Sequence, residues 1–194
     1  MGKSLMALTR IDLCSRALLK IGAQTITSFD EGTAEAEVAA SLYSTVRDAV
    51  LSAHPWNFAT FQATLPKLAS APIADFANAF QLPIDCIRVL SAGTAGRGQG
   101  ISYKIKQRQL HTDADEVILT YISRPDEIDF PPFFDTALIA QLAAEFCIPL
   151  TDSTSRWEGL QKLADAELRR ARLIDAQEET PPSVEDFSLL EGRA

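Results

Sequence analysis

The sequence predicts an α+β protein, mainly α: a four-helix bundle with an inserted antiparallel β-sheet and an extended arm at its C-terminal end. Three observations predict it. Helical apolar periodicity fills about residues 9–54 and 132–172. β-Branched and aromatic runs linked by short turns fill the stretch between. The last 18 residues, QEETPPSVEDFSLLEGRA, carry five acids, one base, two prolines and no period. The organisation expected is therefore a helical bundle from residues 1–60 and 130–176, an inserted β region at 61–129, and an acidic arm at 177–194.

The first helix is marked by Thr9 as cap, with Asp12 three residues on and Leu8 and Leu13 as a hydrophobic staple. Cys14, Ala17, Leu18 and Ile21 fall on one face, and Gly22 is a natural terminator. The second helix is expected from about Thr33 to His54. Glu35 and Glu37 suit its positive end, and Ala39, Leu42, Val46, Ala49, Val50 and Ala53 form a stripe. Pro55 stops it, because proline lacks an N–H and disfavours helical geometry at His54.

Trp56, Phe58 and Thr60 then alternate with Asn57, Ala59 and Phe61, as in a short extended segment. Residues 66–79, rich in alanine and proline, resist assignment. CIRVLS, ISYKIKQRQLHT and EVILTYIS read as strands, so one antiparallel sheet of three or four strands is expected between about 61 and 124. In the third helix Ile139, Leu142, Ala143 and Phe146 share a face, with Pro149 as its end. Ser155 and Glu158 suggest a capping box for the fourth, which carries Leu160, Leu163, Ala164, Leu168 and Ala171 inward and Arg169, Arg170 and Arg172 near its negative end.

Composition narrows the function. The chain has 194 residues, 46 % hydrophobic and 23 % charged, a globular balance. No apolar run is read as approaching the ~20 residues of a bilayer span, and the N-terminus lacks a secretory h-region. The expectation is folding in a cytosol. Cys14, Cys86 and Cys147 are odd in number, far apart and set in apolar patterns, so neither a disulfide framework nor a zinc site is expected. The net charge of −8 argues against a protein built to grip DNA. It is compatible with one that surrounds a sliding duplex.

Local signals for chemistry are weak. His54 and His111 stand in no metal-ligand spacing. Gly93, Gly96, Gly98 and Gly100 lead into a strand pattern rather than a helix, so a mobile hairpin tip is favoured over a phosphate cradle. Arg97, Lys104, Lys106 and Arg108 are candidates for contact with DNA or an anionic partner surface. Asp113, Asp115 and Glu116 read as a solvated turn. No cofactor or metal is expected. Val184, Phe187, Leu189 and Leu190 in the arm are apolar beads that dock on a neighbour or pack on their own domain; each contributes about 1.5–3 kcal/mol if fully buried.

His54, Pro55, Trp56, Asn57 and Phe58 form the most distinctive stretch. The reading is a structural corner in which Trp56 and Phe58 pin the sheet to the bundle. His54 and Asn57 are assigned to backbone groups freed by the helix break.

Segment order adds a resemblance. ALTRIDLCSRALLKIGAQTITSFD, VRDAVLSAHPWNFAT, FQLPIDCIRVLS and VILTYISRPDEIDFPPFFDTALIAQLAAEFCIPLT, in that order, resemble the bacteriophage head–tail adaptor (connector) proteins of the tail tubular protein A type. The likeness covers about residues 5–176 and leaves out the glycine-rich loop and the arm. It implies a non-enzymatic virion protein, assembled in the host bacterial cytoplasm. Such adaptors form a homo-oligomeric ring, commonly of twelve copies, beneath the portal protein. The ring extends the channel for double-stranded DNA, without sequence-specific binding, and meets the next tail or nozzle protein, with no membrane partner. The rival expectations are a tail-completion or stopper protein of the neck, a tail-associated cell-wall hydrolase, and a cellular helical scaffold.

Overall fold

The computed structural model describes residues 8–178. Helix α1 is Arg10–Ile21, and its cap forms as the sequence implies. The Asp12 N–H donates to Thr9 Oγ1 (3.2 Å) and the Thr9 N–H donates to Asp12 Oδ2 (2.9 Å). Gly22 closes the helix at φ 77°, where a side chain would strain the backbone. Ser15 reaches across the following loop, donating to the Ile26 carbonyl at 2.9 Å, and so seats buried Ile26 on the helix.

Helix α2, Ala34–Ser52, is capped by Thr33. Its buried face is Ala36, Ala39, Tyr43, Val46, Val50 and Leu51. The expected stripe is therefore rotated: Ala49 and Ala53 are exposed. The reason is Tyr43 and Leu51, whose larger apolar surfaces take the core and turn the alanines outward.

Helix α3, Pro132–Thr151, is the hub. It packs on α1, on α2 and most extensively on α4, Thr154–Asp175, whereas α1 and α2 touch each other little. Helices α1, α2 and α4 thus all pack on α3. Ala140 and Ala144 face Ala164, so the α3–α4 backbones approach closely. Over an 18-residue window α3 has mean hydropathy 1.4, long and apolar enough by length and composition to cross a membrane. That corrects the reading that no run reaches such a length; here its apolar surface meets three other helices. Pro149 does not end α3 but lies in its last turn, and Asp152 closes it at φ 51°. A proline so near the end forfeits only one late hydrogen bond.

Helix α4 begins two residues before the expected box. Ser153 is the cap, accepting from the Arg156 N–H, because the chain reverses immediately at Asp152. Arg156 then donates Nη1 to the Ile21 carbonyl at 2.8 Å, tying the start of α4 to the end of α1. Leu163, expected inside, is 38 % exposed.

The β region holds six strands in two sheets, not one. β1 (Thr60–Thr64), β6 (Ile118–Ile122) and β3 (Arg88–Gly93) form one antiparallel sheet in the order β1-β6-β3. β2 (Asn78–Gln81), β5 (Gln109–Thr112) and β4 (Lys104–Lys106) form the other, in the order β2-β5-β4. The unassigned stretch contributes a link: Leu65 N–H bonds Val117 O of the first layer, and Leu68 N–H bonds Ala79 O of the second. Between the sheets lies a small core of Leu65, Phe80, Leu82, Ala92, Leu110, Leu119 and Tyr121, among others. The helices enclose a separate, larger core that includes Trp56 and Ile122.

Candidate functional site

The chain leaves the helical layer once, at 55–60, and returns once, at 123–132. Both crossings lie side by side. Thr60 pairs with Ile122, and the Ser123 N–H donates to Ala59 O at 2.8 Å. One aromatic cluster seals them: Trp56 and Phe58 on the way out, Phe130, Phe133 and Phe134 on the way back. Trp56 meets Phe134 at 5.2 Å and Phe58 meets it at 4.9 Å between centroids, both edge to face, the favoured geometry for such rings. Trp56 is fully buried, and its indole N–H donates to Val50 O at 3.1 Å.

The corner differs from the sequence reading in two details. Asn57–Ala59 is a 3₁₀ turn rather than an extended segment, so Trp56 and Phe58 both reach the aromatic cluster. The carbonyls freed at the end of α2 are met by Trp56 and by Arg172, whose Nη2 donates to Ala53 O at 3.3 Å. His54 and Asn57 turn instead to the end of α4. The Asn57 N–H donates to the Asp175 carboxylate at 3.0 Å, and Asn57 Nδ2 donates to Asp175 O at 2.7 Å. His54 Nε2 lies 3.3 Å from Asp175 Oδ2, and its ring stands edge-on to Trp56. Burial holds His54 below the ordinary imidazole range, against the opposing pull of Asp175. Pro55 itself is exposed.

A histidine oriented by a carboxylate is the arrangement that prepares a general base. Here the carboxylate is shared with the Asn57 backbone, and Trp56 stands edge-on to the ring. The geometry clasps three chain segments: the end of α2, the start of the β region and the end of α4.

A second seam, absent from the sequence reading, braces the return crossing. Arg124 donates to Asp48 at 2.6 and 3.1 Å, Arg47 bridges Asp48 and Glu127, and the Tyr43 hydroxyl donates to Glu127 at 2.9 Å. Tyr43 and Arg47 lie one turn apart on α2, with Asp48 next to Arg47. Their partners lie about 80 residues away, so no local spacing announces the pairing. Close by in sequence, Asp135 on α3 has a buried Oδ1 with no partner among the described residues. Burial pushes its carboxyl up to about 6, with Arg16 pulling the other way.

The basic residues do not converge. Arg97 lies in the loop above the first sheet, beside Gln62 and Thr120. Lys104 and Lys106 are exposed on the β4–β5 hairpin of the second sheet, flanking a cavity of about 650 Å³ under residues 68–76. Lys104 reaches Asp75 at 4.0 Å. Arg108 is committed to structure: its guanidinium donates to the Pro83 carbonyl at 2.6 Å, and its φ of 60° makes the tight turn after Gln107.

The glycine loop folds back instead of projecting as a tip. Gly98 O accepts from Ser91 Oγ at 2.6 Å and from Thr120 Oγ1 at 3.2 Å, and a Cβ at Gly98 would collide with Thr120 and Gln62. His111 lies on β5 near Gln109. Asp113 accepts from the Ala77 N–H, Asp115 pairs with Lys67, and Glu116 accepts from the Ala95 N–H, so the acidic turn ties neighbouring loops together. The three cysteines are buried and free; burial pushes the Cys14 thiol up to about 12. Among the described residues no cluster of metal-ligating side chains occurs. Val184, Phe187, Leu189 and Leu190 lie outside the described residues.

Comparison of the chain with models of known protein families finds no match, and comparison with curated proteins finds none.

Proposed function

We propose that this chain is a structural adaptor of a bacteriophage head–tail junction, a ring-forming subunit seated beneath the portal protein. In this reading copies of the chain close into a ring, commonly of twelve. The ring continues the DNA channel without reading sequence and presents a surface to the next tail or nozzle protein. It makes and breaks no bond, uses no cofactor or metal, and engages no membrane. Its place is the virion, and its assembly occurs in the host bacterial cytoplasm.

The observation that carries the proposal is the joint. The residues most distinctive in the resemblance, His54-Pro55-Trp56-Asn57-Phe58, occupy a clasp that fixes how the β region leaves the helices. A ring needs such a clasp, because a heterologous interface closes only if its rotation is right and angular error adds up from subunit to subunit. The net charge of −8 suits a wall along which a duplex slides. In the finished particle, the beads Phe187 and Leu190 engage the portal or an adjacent subunit.

Sedimentation velocity of the protein mixed with the portal protein of the same particle tests this. A stoichiometric complex larger than the portal alone is expected. Sedimentation of the two as separate species, or binding only to tail proteins, overturns the reading in favour of a tail-completion or stopper component.

A further inference from the structure

An apolar groove of about 340 Å³ runs along the outer side of α2. Leu42, Val46, Ala49, Val50 and Ala53 line one wall and Leu168 of α4 the other. These include the alanines that the rotation of α2 turned outward. Glu145 stands on the α3 rim.

We infer that residues 184–190 of the same chain occupy this groove in the free subunit, with Phe187 and Leu190 as anchors. Three features favour that occupant. First, the chain leaves α4 at the end of the groove. Arg172 holds Ala53 O at 3.3 Å, and Asp175 one turn later is clasped to the corner. Residues 176–178 fold back on the end of α4, Ala176 N–H donating to Arg172 O and Glu178 N–H to Asp175 O, and the six steps from Glu178 to Val184 reach up to ~20 Å. The groove from Ala53 to Leu42 follows eleven helical residues, about 16 Å. Second, four apolar beads in seven residues match the apolar α2 wall of Leu42, Val46, Ala49, Val50 and Ala53. The arm's acids fit the α4 side, where Arg172 reaches Ala53 O at the end of the groove. Arg172 also keeps a buried Nε with no acceptor among the described residues. Third, the tether places the segment at an effective concentration of order millimolar, so its own groove outcompetes a second copy in dilute solution.

Docking in this way keeps Phe187 and Leu190 out of water until assembly. Their later transfer to a portal or neighbouring subunit rests on the function proposed above; occupancy of the groove does not.

Amide hydrogen exchange on the intact chain, read by peptide mass spectrometry at two protein concentrations, tests the inference. Residues 185–190 should exchange at least about tenfold more slowly than an unstructured peptide, equally at both concentrations. Ala49→Arg, at an exposed position, should return them to the unstructured rate while α1 and α3 stay protected. Phe187→Ser with Leu190→Ser, which alters only the arm, should speed exchange in the second half of α2. Unprotected 185–190 in the intact chain overturns the inference. So does protection that survives Ala49→Arg, which means docking elsewhere, or protection that grows with concentration, which means a second copy.

Discussion

The joint and the β4–β5 lobe are built in opposite ways. At the joint, the apolar and polar contacts agree. Trp56 is fully buried among four aromatic rings, and around it the indole N–H, Asn57, Arg172 and Asp175 meet the backbone groups freed where helices end. The lobe is thin. β4 is exposed along its length, Ile105 is 40 % exposed, and Ile73 and Ile84 project fully into solvent. Its charges, Lys104 and Asp75, are far from saturated. The first region holds an angle and tolerates little change; the second has surface to offer and little to lose. Under the proposed function, the joint would set geometry and the lightly packed lobe would be the surface open to partners.

Substitutions should separate the two. The largest effect is expected from Trp56→Ala, which empties the centre of the cluster and should destabilise by about 3–5 kcal/mol. An unchanged melting temperature would break the contrast. Next, Asp175→Ala strips the Asn57 N–H and His54 of their acceptor and should cost about 1–3 kcal/mol in denaturant unfolding. A loss within error would mean the clasp is incidental.

A smaller and pH-dependent effect is expected at Asp135. Its folded carboxyl titrates near 6 and its ordinary value is 3.8. Between these values the folded chain holds a proton that the unfolded chain has released, so stability falls as pH rises through that window. Asp135→Asn should therefore raise the melting temperature at pH 8, with the gain shrinking below pH 6 and gone below about pH 4. His54 has the opposite sign. Its folded pKa is depressed, so its contribution is present above the ordinary imidazole value of 6.5 and is lost as pH falls. A pH-independent gain for Asp135→Asn would contradict the burial argument. The smallest effect belongs to the lobe. Lys104→Glu with Lys106→Glu should shift stability by under about 0.5 kcal/mol per site while weakening any contact with an anionic surface. A large loss of stability would show that the lobe is structural after all.

Much of the helical layer was legible because its signals are local. The Thr9–Asp12 cap, the α1 face, Gly22 and the Pro55 stop depend on neighbours within a turn. The face of α2 is rotated from the expected stripe because Tyr43 and Leu51, which that stripe leaves out, are buried. The capping box at Ser155 lost to Ser153 because a chain reversal at Asp152, invisible in periodicity, came first. The two-sheet arrangement was hidden for the same reason. Which of six short strands pair is decided by contacts up to 62 residues apart, as between Thr60 and Ile122, and alternation alone does not encode them. Of the corner, the residues were legible but their partners were not: Asp175 lies 118 positions from Asn57.

Electron microscopy of the purified protein mixed with the portal protein of the same particle tests the central claim most directly. Class averages should contain an added ring coaxial with the portal, and Trp56→Ala should abolish or misclose it. Portals that remain bare beside single free subunits, at concentrations where the chain is folded, would contradict the account.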